Sequence, residues 1–117
     1  MMEFKRNTDN VIPVRLTGVN MEDITSISFA FKATNDESSD CIIEKEYVYD
    51  ENPDAFTKID DTSFICEVYL SAEDTMKIPR GIFYMDVQPV SDGEKLNAGR
   101  PQKLKMNGTF FEEDSND

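Results

Sequence analysis

The sequence predicts an all-β protein. The expected architecture is an antiparallel β-sandwich of about seven short strands, immunoglobulin-like in the loose sense, with one helical turn near residues 71–77. Three observations point there. Apolar and polar residues alternate with period two in five separate segments. Polar turn clusters (NDESSD, DENPD, SDGEK) break the chain at short intervals. With 117 residues, eight Phe and four Tyr, the chain is long enough to bury a core without disulfides or metal. There is no Trp, so the cysteine–tryptophan–cysteine core of antibody domains is absent.

Each element has its own signal. NVIPVRL (10–16) reads as a short strand, and Pro13 marks it as an edge strand or a bulge. In ITSISFAFKA (24–33), Ile27, Phe29 and Phe31 share one face, with Ser26, Ser28 and Lys32 on the other. CIIEKEYVY (41–49) is a strand with Glu44 and Glu46 on a wet face, and residues 56–59 are expected to add a short one. SFICEVYL (63–70) puts Phe64, Cys66, Val68 and Leu70 on one side. Ser71 and Asp74 then form a capping-box pair, and Glu73 and Asp74 favour the first turn of a helix. Pro79 ends that turn and Gly81 permits a new strand, so the segment is expected to carry the chain from one sheet to the other. Met76 and Ile78 are expected to close over the core.

GIFYMDVQPV (81–90) is the next strand, with Phe83, Met85 and Val87 inward. Asp92-Gly93 makes a hairpin. The chain returns with Leu104 and Met106 inward and ends in a short strand at 109–111. The predicted core is Phe29, Phe31, Phe64, Val68, Phe83, Met85 and Val87. Residues 1–111 are expected to form one domain, followed by a disordered acidic tail at 112–117.

Charge is unevenly spread. Lys and Arg number 12 against 24 Asp and Glu, a net charge of −12. Residues 35–61 hold ten acids and two bases, and the tail adds Glu112, Glu113, Asp114 and Asp117. The rest of the chain is neutral. Direct nucleic-acid binding is disfavoured, because phosphate contacts need clustered bases. Solubility is the bland reason for such acidity, and a surface for a basic partner is the sharper one.

The N-terminus MMEFKRNTDN has no apolar signal region, and no run is long enough to span a membrane. The protein is therefore expected in the cytoplasm at synthesis, without membrane contact. Cys41 and Cys66 are expected to be reduced and to act as small hydrophobes in strand patterns.

Much chemistry is excluded. The absence of His removes Ser–His–Asp and Cys–His catalysis and the commonest metal ligand. The five Gly are isolated, so no phosphate loop exists. Asp50, Glu51, Asp54 and Asp60 offer oxygen ligands for Ca²⁺, but EF-hand spacing is missing and a solvated loop is favoured. Tyr47, Tyr49 and Tyr69 are candidates for an aromatic binding patch; second-layer packing is the commoner role. Asn107-Gly108-Thr109 matches a glycosylation acceptor, without meaning in a chain that carries no signal peptide. The expectation is no enzyme: no catalytic, cofactor-binding or metal residue, and no cofactor.

The stretch LSAEDTMKIPRGIFYMDVQPVSDGEK (70–95) resembles small β-sandwich domains of phage and prophage structural proteins. The matching residues are Ser71, Glu73, Asp74, Thr75, Pro79, Gly81, Tyr84, Asp86, Asp92 and Gly93. KRNTDNVIPVRL and LKMNGTFF are similar to that family's opening and closing strands. The acidic stretch 35–61 and the acidic tail depart from the pattern. The resemblance implies an accessory module of tail, baseplate or head fibre, working by protein–protein contact, with a virion protein or a second copy as partner. It brings no catalytic residue with it. The alternative is an acidic soluble inhibitor or decoy that occupies a basic nucleic-acid-binding protein.

Overall fold

The computed structural model describes residues 1–36 and 38–108. Its strands are β1 (Glu3–Lys5), β2 (Asn10–Thr17), β3 (Ser26–Lys32), β4 (Ile43–Val48), β5 (Phe56–Asp60), β6 (Ser63–Leu70), β7 (Gly81–Ser91), β8 (Glu94–Lys95) and β9 (Gln102–Asn107). One α-helix, α1 (Ala72–Lys77), lies between β6 and β7. Short 3-10 turns occupy Met21–Asp23 and Pro53–Ala55.

The strands form two sheets. The larger runs β1-β9-β7-β3-β4, with β8 also on β7, and the smaller runs β2-β6-β5. The protein is an all-β sandwich, as the alternation predicts. Every pair is antiparallel except β1 with β9, which is parallel. β1 carries no sequence signal, because three residues are too few to show a period, and neither does β8, which is only two residues long.

One core joins the sheets. Ile27, Phe29, Phe31, Phe83, Met85, Leu104 and Met106 from the larger sheet meet Ile12, Phe64, Cys66, Val68 and Leu70 from the smaller. Phe83 sits among aromatics, with ring centroids 5.9 Å from Phe4 and 6.4 Å from Phe31. Pro13 lies on β2, an edge strand, where its missing N–H costs no ladder bond.

The segment after β6 does carry the chain between sheets. Ser71 Oγ accepts from the Asp74 N–H at 3.1 Å, and Asp74 Oδ2 accepts from the Ser71 N–H at 3.0 Å, completing the capping box. Gly81 takes φ 107°, which side chains rarely adopt, and starts β7 in the other sheet. Ile78 is buried as expected, but Met76 is only half-buried; the residue that turns inward from the helix is Thr75. Its Oγ1 donates to Ala72 O at 2.8 Å and accepts from the Asn7 N–H at 2.9 Å, so its hydroxyl is satisfied although buried. The Asp92-Gly93 hairpin has both residues at positive φ, 50° and 82°, as a two-residue type I′ turn requires.

Two further expectations need correction. Cys41 is exposed and precedes β4, which starts only at Ile43; the chain is still turning out of the 33–42 loop there. Val87 is half-buried rather than part of the sealed core, for a reason given below. The strand expected at 109–111 and the tail at 112–117 lie outside the described residues.

Candidate functional site

The sandwich has two sides, and they are built differently. On one side run the edge strands β4 and β5, joined by residues 49–55. This side is stitched shut. Tyr47 packs edge-on against Phe29 at 5.9 Å, and Tyr49 against Phe56 at 5.2 Å. The Tyr47 hydroxyl accepts from the Tyr69 N–H at 3.0 Å, bridging the two sheets. Lys45 Nζ reaches Asp74 Oδ2 at 2.7 Å, tying β4 to α1. Partial burial pushes the Asp74 carboxyl up, but the hydrogen bonds from Lys45 and from the Ser71 N–H outweigh it and hold it below its ordinary value.

The three candidate tyrosines therefore do not form one patch. Tyr47 and Tyr49 pack on the core, and Tyr69 is 46% exposed on the outer face of the smaller sheet. Directly across the ladder from Tyr69 stands Val11, 52% exposed. Desolvation first, then the charge of Asp9, pushes the Tyr69 phenol up.

The acidic stretch borders the closed side. Its nine described acids are all exposed, with Glu44 and Glu46 on β4, Asp60 at the end of β5 and the others between strands. Asp50, Glu51, Asp54 and Asp60 are not brought together. Among the described residues no three His, Cys, Asp or Glu are placed to hold a metal ion. Asp60 serves its own hairpin, accepting from the Thr62 N–H at 2.9 Å and the Ser63 hydroxyl at 2.8 Å, bonds that hold its carboxyl below the usual range. Asn107 pairs with Glu3 through its side-chain amide at 2.9 Å.

The opposite side is open. Along one flank of β7, β9 pairs with residues 81–85 and β8 with residues 90–91. Between them, residues 86–88 have β3 on one flank and no ladder partner on the other. Asp86 Oδ1 takes the Val87 N–H at 3.0 Å. The gap opens a crevice of about 280 Å³ between the sheets, reaching from β7 to the edge strand β2. Val14, Val19, Val87 and Pro89 line it, together with Arg15 and Arg100, which are exposed. This is why Val87 is half-buried: β9 leaves β7 before covering it. Val14 faces the same space from β2 and is half-buried too. In a chain with 24 acids, Arg15 and Arg100 make no ion pair among the described residues. No sequence signal marked this site beyond the apolar character of Val14 and Val87, since alternation does not reveal where a neighbouring strand ends. A second concavity, about 240 Å³, lies on the outer face of the larger sheet over Ala30 and Tyr84, between Lys32 and Asp86.

The two thiols should behave oppositely. Burial, aided by the charge of Glu67, pushes the Cys66 thiol up to about 12, whereas Cys41 is exposed. A thiol reagent at mildly alkaline pH should modify Cys41 promptly in the native protein and reach Cys66 only on unfolding. Equal rates for both in native buffer would contradict the burial of β6.

No model of a known protein family matches the chain, and no curated protein matches it. Three solved chains do match in structure. One is an extracellular domain of the voltage-gated sodium channel beta4 subunit, whose parallel homodimers explain its role in cell–cell adhesion. It is 13% identical, with a TM-score of 0.37 over 93% of this chain and 91% of that chain. A likeness this distant carries no argument about family or function.

Proposed function

We propose that the protein is a non-enzymatic binding module that works by protein–protein contact through the open side of its sandwich. The observation that carries this is the crevice: Val14 and Val87, one from each sheet, are left half-covered beside the open edge strand β2, with two exposed arginines in the lining. An edge strand offers unpaired backbone groups to a partner strand. Val11 and Tyr69 extend the apolar surface on the adjoining outer face. The resemblance of residues 70–93 to phage and prophage structural modules supports a place among tail, baseplate or head-fibre accessory proteins. The protein then belongs in the cytoplasm at synthesis and afterwards in the particle, with a virion protein or a second copy as its partner.

A second reading has its own observation. The exposed acids of residues 35–61 border one side of the sandwich, as a decoy for a basic nucleic-acid-binding protein needs. Capture on the immobilised protein at low and high salt separates the two. Salt-resistant capture of a capsid or tail protein, lost in Val11→Asp, supports the assembly module. Capture of a nucleic-acid enzyme that fades steeply with salt and survives Val11→Asp would overturn it in favour of the decoy.

A further inference from the structure

We propose that residues 97–101 are the segment that makes the contact surface: they carry two residues more than the sheet needs, and that surplus holds the crevice open. The proposal rests on the reading of the open side as a protein-binding surface and names what builds it. β8 and β9 follow one another along the same flank of β7, yet their registers do not agree. The register of β8 runs on by one rung, since the Leu96 N–H donates to Pro89 O at 2.9 Å, and carried further it would set Ala98 opposite Val87. The register of β9, carried on from Gln102 opposite Met85, would set Arg100 there. Five residues, 97–101, therefore face three, 86–88. An even surplus leaves the alternation intact, so Leu96 and Leu104 face the core on either side of the break.

Local chemistry holds the break in place. The Leu96 bond shows that odd-numbered residues of this part of β7 turn their backbone groups to this flank, so the Val87 N–H points into the gap. Asp86 Oδ1 accepts it at 3.0 Å in place of the missing rung. Gln88 Nε2 donates to Leu96 O at 2.7 Å and pins the near end of the segment. The Gly99 N–H donates to Asn97 Oδ1 at 2.8 Å, and Gly99 takes φ 95°, a turn that no straight strand makes. Bulges re-aim side chains beside functional surfaces. Here the bulge leaves Val87 of one sheet uncovered toward Val14 of the other. Removing Gly99 and Arg100 makes the two registers agree: Asn97, Ala98 and Pro101 then stand opposite Gln88, Val87 and Asp86. Pro101 falls at a rung where its missing N–H is not needed.

Hydrogen exchange and dye binding on the full chain and two variants test this. One variant lacks Gly99 and Arg100. The other, Arg100→Gln, keeps the length and controls for the lost charge. In the wild type the Val87 amide should exchange about tenfold or more faster than those of Phe83 and Met85, which pair with β9. The deletion should fold, unfold at a denaturant midpoint no lower than the wild type's, and slow Val87 to the rate of its neighbours. It should bind anilinonaphthalene sulfonate, an apolar anion that probes the crevice, roughly tenfold more weakly than the wild type. Arg100→Gln should lose less than about fivefold. A deletion that fails to fold or unfolds earlier overturns the proposal, as does a wild-type Val87 amide as slow as that of Phe83. So does Arg100→Gln that binds as weakly as the deletion, or a deletion that heals the sheet and still binds the dye and captures the particle protein. The open-side reading survives any of these while salt-resistant capture is lost in Val11→Asp. It falls if capture survives both the healed deletion and Val11→Asp.

Discussion

Replacing Phe83 by Ala should lower the unfolding free energy by about 3–5 kcal/mol. Phe83 is fully buried on β7, the strand that holds β3 on one flank and β9 on the other. Truncation removes apolar area from the centre of the larger sheet. It also removes the ring that Phe4 and Phe31 pack against, at 5.9 and 6.4 Å. These two neighbours belong to β1 and β3, strands of the same paired sheet, so they have little freedom to collapse into the void. Denaturant unfolding measures the effect as a lower midpoint at unchanged slope. A midpoint equal to the wild type would mean that the register of β7 is wrong, since a slip of one residue turns Phe83 outward. Val87→Ala on the same strand should cost clearly less, because Val87 already borders open space.

Replacing Asp74 by Ala should cost about 2–3 kcal/mol at neutral pH, from the lost cap and the lost charged hydrogen bond. One carboxylate oxygen accepts from both the Ser71 N–H and Lys45 Nζ, so it closes the helix and ties it to β4. Ser71→Ala removes only the reciprocal bond to the Asp74 N–H and should cost less, about 0.5–2 kcal/mol. The sign of the pH dependence follows from the depressed carboxyl. A folded-state value below the ordinary 3.8 means that the stabilisation is fully present above 3.8 and is lost as pH falls through the folded value. The difference between wild type and Asp74→Ala should therefore be flat near neutrality and shrink at acid pH. A gap that widened below pH 3.8 would show that Asp74 is not held ionised by Lys45 and the helix cap.

The parts of the molecule legible in the sequence are those governed by local chemistry. Alternation placed Phe29, Phe31, Phe64 and Phe83 inside because a strand facing a core has no other way to bury every second residue. The Ser71–Asp74 pair announced its helix because the cap is made within four residues. Pairing between distant strands left no such mark. Nothing in GIFYMDVQPV tells that β9 stops pairing at Met85, so Val87 read as core when it lines an opening. Cys41 read as strand because CIIEKEYVY is apolar at its start, yet β4 begins only at Ile43. The tyrosines were visible as aromatics, but which ones close the β4–β5 side depended on the fold of two sheets. The crevice was hidden for the same reason. Its residues come from β2, β7 and the segment before β9, and Arg15 and Arg100 are ordinary surface bases until those elements are placed together.

The measurement that bears most directly on the open side as the contact surface is hydrogen exchange of the full chain, free and in complex with the partner that capture or self-association yields. The expected result is new protection of backbone amides in β2, residues 11–17, and in the segment 96–101 beside the crevice, with β4 and β5 unchanged. Protection confined to residues 43–61, on the closed acidic side, would contradict it.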